Sequence, residues 1–518
     1  MSVEGPSASP SRSNCSLTVT FTTLLGDIAP VAFRLLAMVW MAVSLAHCGS
    51  AGTDRPARDT RFDGGIDRGD VRIDAGGRAD VDGAAQSFGP SGDAGVRQTW
   101  TLASTAGGGN LAPSDATSAK IADLVALHAG VGRLSLYPDD MYFVNGAPSP
   151  GRGDDVVLAM LRAGVRPYVI FEFESSYDSA DLGKPERTYA DWYAIGQAFA
   201  QRFKPHSEFL LGQGVSDAGI IEWSAINEVD RKSAEDPALT YPQYHEMLRG
   251  LSDGVHASHA AGKVYPAGYL APNRDREYTA HGYLPAVADL INDGTLAGFD
   301  LHTYVDKSYA PLFNTYDHSF QRDFERCIEQ SAITRLDIDW VSTEHNVKAD
   351  PEASKQGYDE PTARNWFLTH FFDMHGAVRA DGTPAPGVRL AWNLWRQGPE
   401  AYYMASQLVP RTPRWTGRTY EMLLALLHDL SFVASDTVSG TFELKGHGRT
   451  AWVFQNLHPT WSTKFGASFT ISDMPANATK VDVYDGNGLL ETVQAPNKPG
   501  HTFQTPTGKS YLFVADAD

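Results

Sequence analysis

Two carboxylates set the chemistry. One is Glu228, which closes the apolar run IIEWSAINEVD directly after Asn227; the other is Glu344, in WVSTEHN. Each follows a short β-type segment. Two such carboxylates facing across the mouth of a sheet are what cleavage of a glycosidic bond needs. One gives a proton to the leaving oxygen, and the other attacks or activates water. A single strand-end glutamate would as readily be an ion-pair partner, so the pair and its placement carry the weight. Further polar and aromatic candidates end the other segments: Arg133 in GVGRLSLY, His302 and Tyr304 in FDLHTYVD, and Trp392 and Trp395 in WNLWR. Alternation along a strand puts His302 and Tyr304 on one face. Glu172 and Glu174 end another segment; Glu174 is the one with a route to the cleft, and neither is taken as a site residue.

Positioning these residues calls for a regular frame. Short β-branched runs alternate with helical patterns from about residue 96, the sign of a parallel sheet with crossover helices. The strands predicted are Trp100–Ala103, Gly132–Tyr137, Pro167–Glu174, Ile220–Asn227, Val264–Tyr269, Phe299–Tyr304, Asp339–Glu344 and Arg389–Trp395. Between them lie segments such as DDVVLAMLRAGV and YPQYHEMLRGLSDGVHASHAAG, apolar at i, i+3, i+4 and i+7. Eight such units predict an α/β chain folded as a (β/α)₈ TIM barrel, whose active site lies at the C-terminal strand ends. An open doubly wound sheet would want a glycine-rich phosphate loop, and neither GxGxxG nor a P-loop is present. After the last helical pattern only short strands remain, separated by turn signals such as Asp485-Gly486 and Asn487-Gly488. The organisation expected is therefore a catalytic barrel over 96–431 and a small C-terminal β-sandwich over 432–518.

The N-terminus reads differently. Val31 to Ala46 is an apolar run broken only by Arg34, too short for a membrane span and placed as a signal h-region. Residues 1–48 are thus expected to be an export signal. Leu45-Ala46-His47-Cys48 is similar to a bacterial lipobox, with His47 where a small residue is usual, so Cys48 is a candidate for lipid attachment to a membrane. The Asp/Gly/Arg/Ala-rich stretch 49–95 has too little apolar surface to offset its ordering entropy and is expected to be a disordered tether. The protein is expected to be secreted, or periplasmic or outer-surface and lipid-anchored.

Composition narrows the partners. The 518 residues carry a formal net charge of −19, which argues against binding a phosphate backbone. With 11% aromatic residues and no basic stripe, neutral oligo- or polysaccharide suits the chain better. The three cysteines, Cys15, Cys48 and Cys327, form no CxxC pair, and His256 and His259 lack a third ligand. No metal and no cofactor are expected. A metal-dependent amidohydrolase would need His-x-His on the first strand, where TWTLAS has none.

With Asn-Glu ending the fourth strand and Glu the seventh, the chain resembles the clan A glycoside hydrolases. Thr343-Glu344-His345-Asn346 is similar to the nucleophile motif of family 39, with His345 in place of Trp. The His302-x-Tyr304 pair is similar to the sixth strand of families 39 and 5. One departure is Val229 where that clan usually has Pro after Asn-Glu. The resemblance implies retaining hydrolysis of β-glycosides by double displacement. It makes Glu228 the acid/base, kept neutral at rest by desolvation, and Glu344 the nucleophile, kept ionised by Arg133 and bonded by Tyr304. It also implies that Asn227 bonds the sugar 2-hydroxyl and that Trp395 floors the −1 subsite. His302 is left open between substrate contact and support of its neighbours, Arg133 equally fits a structural ion pair, and Trp392 fits the core. The competing expectation is a catalytically silent carbohydrate-binding surface protein, which would be expected to have lost one of the glutamates.

Overall fold

The computed structural model describes residues 101–517 apart from several internal stretches, chiefly 137–142, 173–188, 232–238, 271–281, 306–319, 396–403, 458–467 and 495–499. The proposed signal, tether and Cys48, and also Trp392 and Glu174, lie outside the described residues.

Eight parallel strands form a barrel: β1 (Ala106–Leu111), β2 (Val131–Leu136), β3 (Arg166–Phe171), β4 (Glu222–Ala225), β5 in two pieces (Lys263–Pro266 and Tyr269–Leu270), β6 (Gly298–Val305), β7 (Asp339–Val347) and β8 (Arg389–Ala391). Each strand pairs in parallel with its neighbours, β8 returns to β1, and the two pieces of β5 pair with β4 and β6 respectively. The Ala297 N–H donates to the Val264 carbonyl oxygen across the break in β5. The interior is filled at one level by Val131, Tyr168, Tyr265, Val341, Val388 and Leu390. This is a TIM barrel, as the alternating pattern predicts.

The first strand is a correction. Trp100–Ala103 was expected to be β1, but Leu102–Ser104 is a 3₁₀ turn and the strand is the glycine run that follows. The reason is steric. A Cβ on Gly107 would stand 2.0 Å from the Val131 carbonyl oxygen, so only glycine lets β1 approach β2 this closely. A run of three glycines has no β-propensity to detect.

Among the described residues a principal helix follows each strand: α1 (Ala119–Ala126), α2 (Asp154–Arg162), α3 (Tyr189–Phe203), α4 (Tyr241–Ser258), α5 (Ala288–Asn292), α6 (Phe320–Gln330), α7 (Glu360–His375) and α8 (Thr416–Leu427), with a further short helix at Glu208–Gly212 before β4. Their starts follow capping chemistry: Thr240 and Gln243 form a capping box on α4, and the Asp359 side chain accepts the Thr362 N–H at α7. The long pair α3 and α4 pack face to face, and glycines make this possible. A Cβ on Gly196 or Gly254 would collide with the backbone of the other helix.

The C-terminal region is an antiparallel sheet of six strands: β9 (Ser431–Asp436), β10 (Thr441–Gly446), β11 (Arg449–Asn456), β13 (Ala478–Asp485), β14 (Gly488–Gln494) and β16 (Lys509–Ala517), ordered β9-β10-β11-β16-β13-β14. A two-stranded sheet, β12 (Ser468–Ile471) with β15 (His501–Gln504), covers one face. Trp452, Phe454, Phe469, Phe503 and Phe513 fill the space between. The other face joins the barrel's helical layer through Phe442, Leu444, Val453 and Leu512. Polar contacts tie the seam to α7. Thr369 and Ser510 hydroxyls are 2.6 Å apart, Gln455 donates to Asp373 at 3.0 Å, and the Gly486 N–H donates to Asn365 Oδ1 at 3.1 Å.

Candidate active site

Glu228 and Glu344 meet at the C-terminal ends of β4 and β7. An oxygen of each and a nitrogen of His302 all lie within 4.8 Å of one another. All three residues are buried. Glu228 reaches this position through a turn in which Ile226 and Glu228 both have positive φ, 59° and 50°. A β-branched residue there is strained, and strain of this kind persists where the surroundings over-determine it. Here the Ile226 N–H donates to the Phe171 carbonyl and the Glu228 N–H to Gly268. On β7 the register shifts near Glu344 against both β6 and β8, so Thr343 and Glu344 both engage β6 residues.

Glu344 is held from two sides. The Arg133 guanidinium of β2 bonds Oε1, and the Tyr304 hydroxyl of β6 donates to Oε2 at 2.5 Å. Burial pushes the Glu344 carboxyl up. His302, Arg133 and the Tyr304 bond favour the charged form, but with the neighbouring Glu228 charge added to burial the carboxyl stays above its ordinary value. Arg133 is itself desolvated, yet Glu344 and Glu172 raise it above its ordinary value. Its second terminal nitrogen donates to Glu172 Oε1 at 3.0 Å and to Asn227 Oδ1 at 2.9 Å, so one guanidinium fork aligns three strand ends.

His302 bridges the pair. Its Nδ1 is 2.9 Å from Glu228 Oε1 and 3.4 Å from Glu344 Oε2, and its Nε2 is 3.1 Å from the Thr343 hydroxyl. Burial disfavours its charged form, but Glu344, the bond to Glu228 and Asp300 outweigh this, pushing the imidazole up to about 9. Glu228, His302 and Glu344 could by type ligate a cation. A metal ion there would have to displace the proton on His302 and compete with the Arg133 guanidinium for Glu344.

The structure therefore brings Arg133, Asn227, Glu228, His302, Tyr304 and Glu344 into one bonded group. Trp395 stands outside it. The ring is buried just past β8, its N–H donates to Asp123 of α1 at 2.6 Å, and its edge lies against Gly108 of β1. Residues not singled out as site candidates complete the group. Glu172 meets Arg133, and Ser135 donates to the same Glu172 oxygen at 2.9 Å, while Glu174 lies outside the described residues. Asp300 and Gly268 lie behind His302. Asp300 was legible, since Asp300, His302 and Tyr304 alternate on one strand face. Gly268 carried no signal.

The sequence matches no protein-family model and no curated protein. Solved structures match in fold. A glucosidase from Croceicoccus marinus is 12% identical with a TM-score of 0.53, over 80% of this chain and 96% of that one. A family 39 glycoside hydrolase from Bacteroides cellulosilyticus is 13% identical with a TM-score of 0.51, over 80% and 81%. A monomeric β-xylosidase from Caulobacter crescentus is 14% identical with a TM-score of 0.51, over 80% and 96%. The likeness is one of fold, which this chain shares with these three structures.

Proposed function

We propose that the protein is a retaining β-glycosidase acting on oligo- or polysaccharide, with Glu344 as nucleophile and Glu228 as acid/base. The observation that carries this reading is the close approach of the two carboxyls, an oxygen of one within 4.8 Å of an oxygen of the other. Double displacement uses carboxyls about 5–5.5 Å apart, against about 6.5–9.5 Å where a water must fit between. Their surroundings differ as the two roles require. Glu344 has a guanidinium and a phenol to hold its charge, whereas Glu228 faces an imidazole able to exchange a proton with it. Asn227, fixed by Arg133, is set to meet the sugar 2-hydroxyl, and Trp395 is proposed as the floor of the −1 subsite. The fold likeness to a glucosidase and a β-xylosidase agrees with this substrate class. A silent carbohydrate binder would have no use for so closely bonded a pair.

Kinetics on the two variants tests the roles. Glu344→Ala should lose turnover on every substrate. Glu228→Ala should keep much of its first step on an activated aryl β-glycoside while losing about 10²–10⁴-fold on a natural linkage. Azide should rescue Glu228→Ala with retained configuration and Glu344→Ala with inverted configuration. An inverted first product from the wild-type enzyme overturns the mechanism. The same reading takes residues 1–48 as an export signal with Cys48 as lipid acceptor. Cys48→Ala should then move the protein from the membrane to the soluble fraction.

A further inference from the structure

We propose that Asp300, acting through the Thr343 hydroxyl, is a positioning residue that fixes which nitrogen of His302 carries a permanent proton, so that His302 and Glu228 hold the catalytic proton as a shared pair. This rests on the reading of Glu228 as acid/base. Asp300 is fully buried. Its Oδ1 accepts the Thr343 N–H at 2.9 Å, and its Oδ2 accepts the Gly268 N–H at 3.0 Å and the Thr343 hydroxyl at 2.5 Å. A carboxylate has only acceptor sites, so the Thr343 proton is committed to it. The Thr343 oxygen can then offer His302 Nε2 nothing but a lone pair across their 3.1 Å contact. Nε2 must therefore carry a hydrogen in both charge states of the ring. The ring packs on Gly268 so closely that a Cβ there would lie 1.9 Å from Nε2, and this backbone bars movement toward β5.

What remains variable is the proton at Nδ1. That nitrogen faces Glu228 from the end of β4 and Glu344 from β7, the latter backed by Arg133 of β2 and Tyr304 of β6, while Asp300 lies behind the ring and the β5 backbone closes the remaining side. One proton spans the 2.9 Å between Nδ1 and Glu228 Oε1. In the first step Glu344 bonds the anomeric carbon, the glycosidic C–O bond breaks, and the leaving oxygen takes the Glu228 proton. That one shared proton is drawn off Nδ1 through Glu228 as the Glu344 charge that held it is consumed, so the pair is left as a neutral imidazole and a carboxylate. In the second step water bonds the anomeric carbon, its proton goes to Glu228 and on to Nδ1, and Glu344 leaves as carboxylate. The high proton affinity of His302 agrees with this order, since Glu344 is the largest contributor raising it.

The test uses the full chain labelled with ¹⁵N-histidine, the His302 signals being those lost in His302→Gln. In the wild type Nε2 should stay protonated from about pH 5 to 10, and Nδ1 alone should titrate. Thr343→Val removes the hydroxyl at nearly constant volume and should let the Nδ1–H form of the neutral ring appear, whereas Thr343→Ser should keep the wild-type pattern. In kinetics, Thr343→Val should move the basic limb of kcat/KM on an unactivated glycoside down by at least about one pH unit. It should cost less than about threefold on an activated aryl glycoside, and Thr343→Ser should restore the limb. An Nε2 that titrates in the wild type, or a Thr343→Val protein with wild-type ring signals, overturns the proposal. Absence of hydrolysis by the wild type would strike the glycosidase reading alone, because the ring spectra still decide the tautomer.

Discussion

The two ends of the barrel are both charged, yet they balance charge in opposite ways. At the N-terminal strand ends the carboxylates of Glu222 and Asp339 each have a basic partner. Arg166 meets Glu222, and Lys263 meets Asp339 at 2.6 Å, with the Tyr265 hydroxyl on the same oxygen at 2.8 Å. Arg389 adds a further cation, satisfied by the carbonyls of Trp340, Met374 and Val388. At the C-terminal ends Glu172, Glu228, Asp300 and Glu344 gather around one guanidinium, Arg133, and one imidazole, His302. Among the described residues, fixed cations balance the first end, and the second has more carboxylates than fixed cations. The end with a surplus of carboxylates is the end that can donate a proton, and it is also where Ile226 and Glu228 hold strained backbone.

Removing Arg133, the fixed cation of the C-terminal end among the described residues, should have the largest effect. Arg133→Met leaves the Glu344 charge buried without its partner, at a cost of about 3–5 kcal/mol in urea unfolding at neutral pH. It should also lower turnover by loosening both Glu344 and Asn227. A variant as stable and active as the wild type would show that protons alone can balance this end.

The second expectation concerns pH. His302 is raised in the folded protein from 6.5 to about 9. Its contribution to stability is therefore complete below about pH 6.5 and is lost as pH rises through about 9, on the order of 3 kcal/mol in all. The stability difference between wild type and His302→Gln should shrink across that window. A difference that is flat with pH would place the shared proton elsewhere.

The smallest effect belongs to the N-terminal end. Lys263 is 44% exposed on its side chain, so its pair with Asp339 is screened by water. Lys263→Met should change stability by less than about 1 kcal/mol and leave kcat/KM unchanged. A loss of activity there would mean that the two ends are coupled.

Legibility in the sequence followed the same division. Seven of the eight strands and the alternating His302 and Tyr304 could be read because branched and aromatic residues mark them. The eighth, β1, is hidden because steric closeness to Val131 demands glycines there. The α7 segment shows no apolar stripe because residues all around it are buried, from Phe367 and Phe371 to Thr369 and Asp373. Arg133 and Glu344 could be singled out as residue types at strand ends. Their joint hold on Asn227 and Glu172 could not, since it depends on how four strands are staggered.

The burial of α7 on all sides has a consequence for how the chain is made. Its inner face packs on the barrel, and its outer face waits for Gln455 of β11 and Ser510 of β16. During synthesis the barrel strands and the helices around them emerge before those residues do. A helix rich in Phe, with half its cover still untranslated, is exposed to the wrong partners for that interval. Completion of the barrel is thus tied to arrival of the last strand, and any nonsense truncation inside the terminal sheet should leave a protein that chaperones hold and proteases clear.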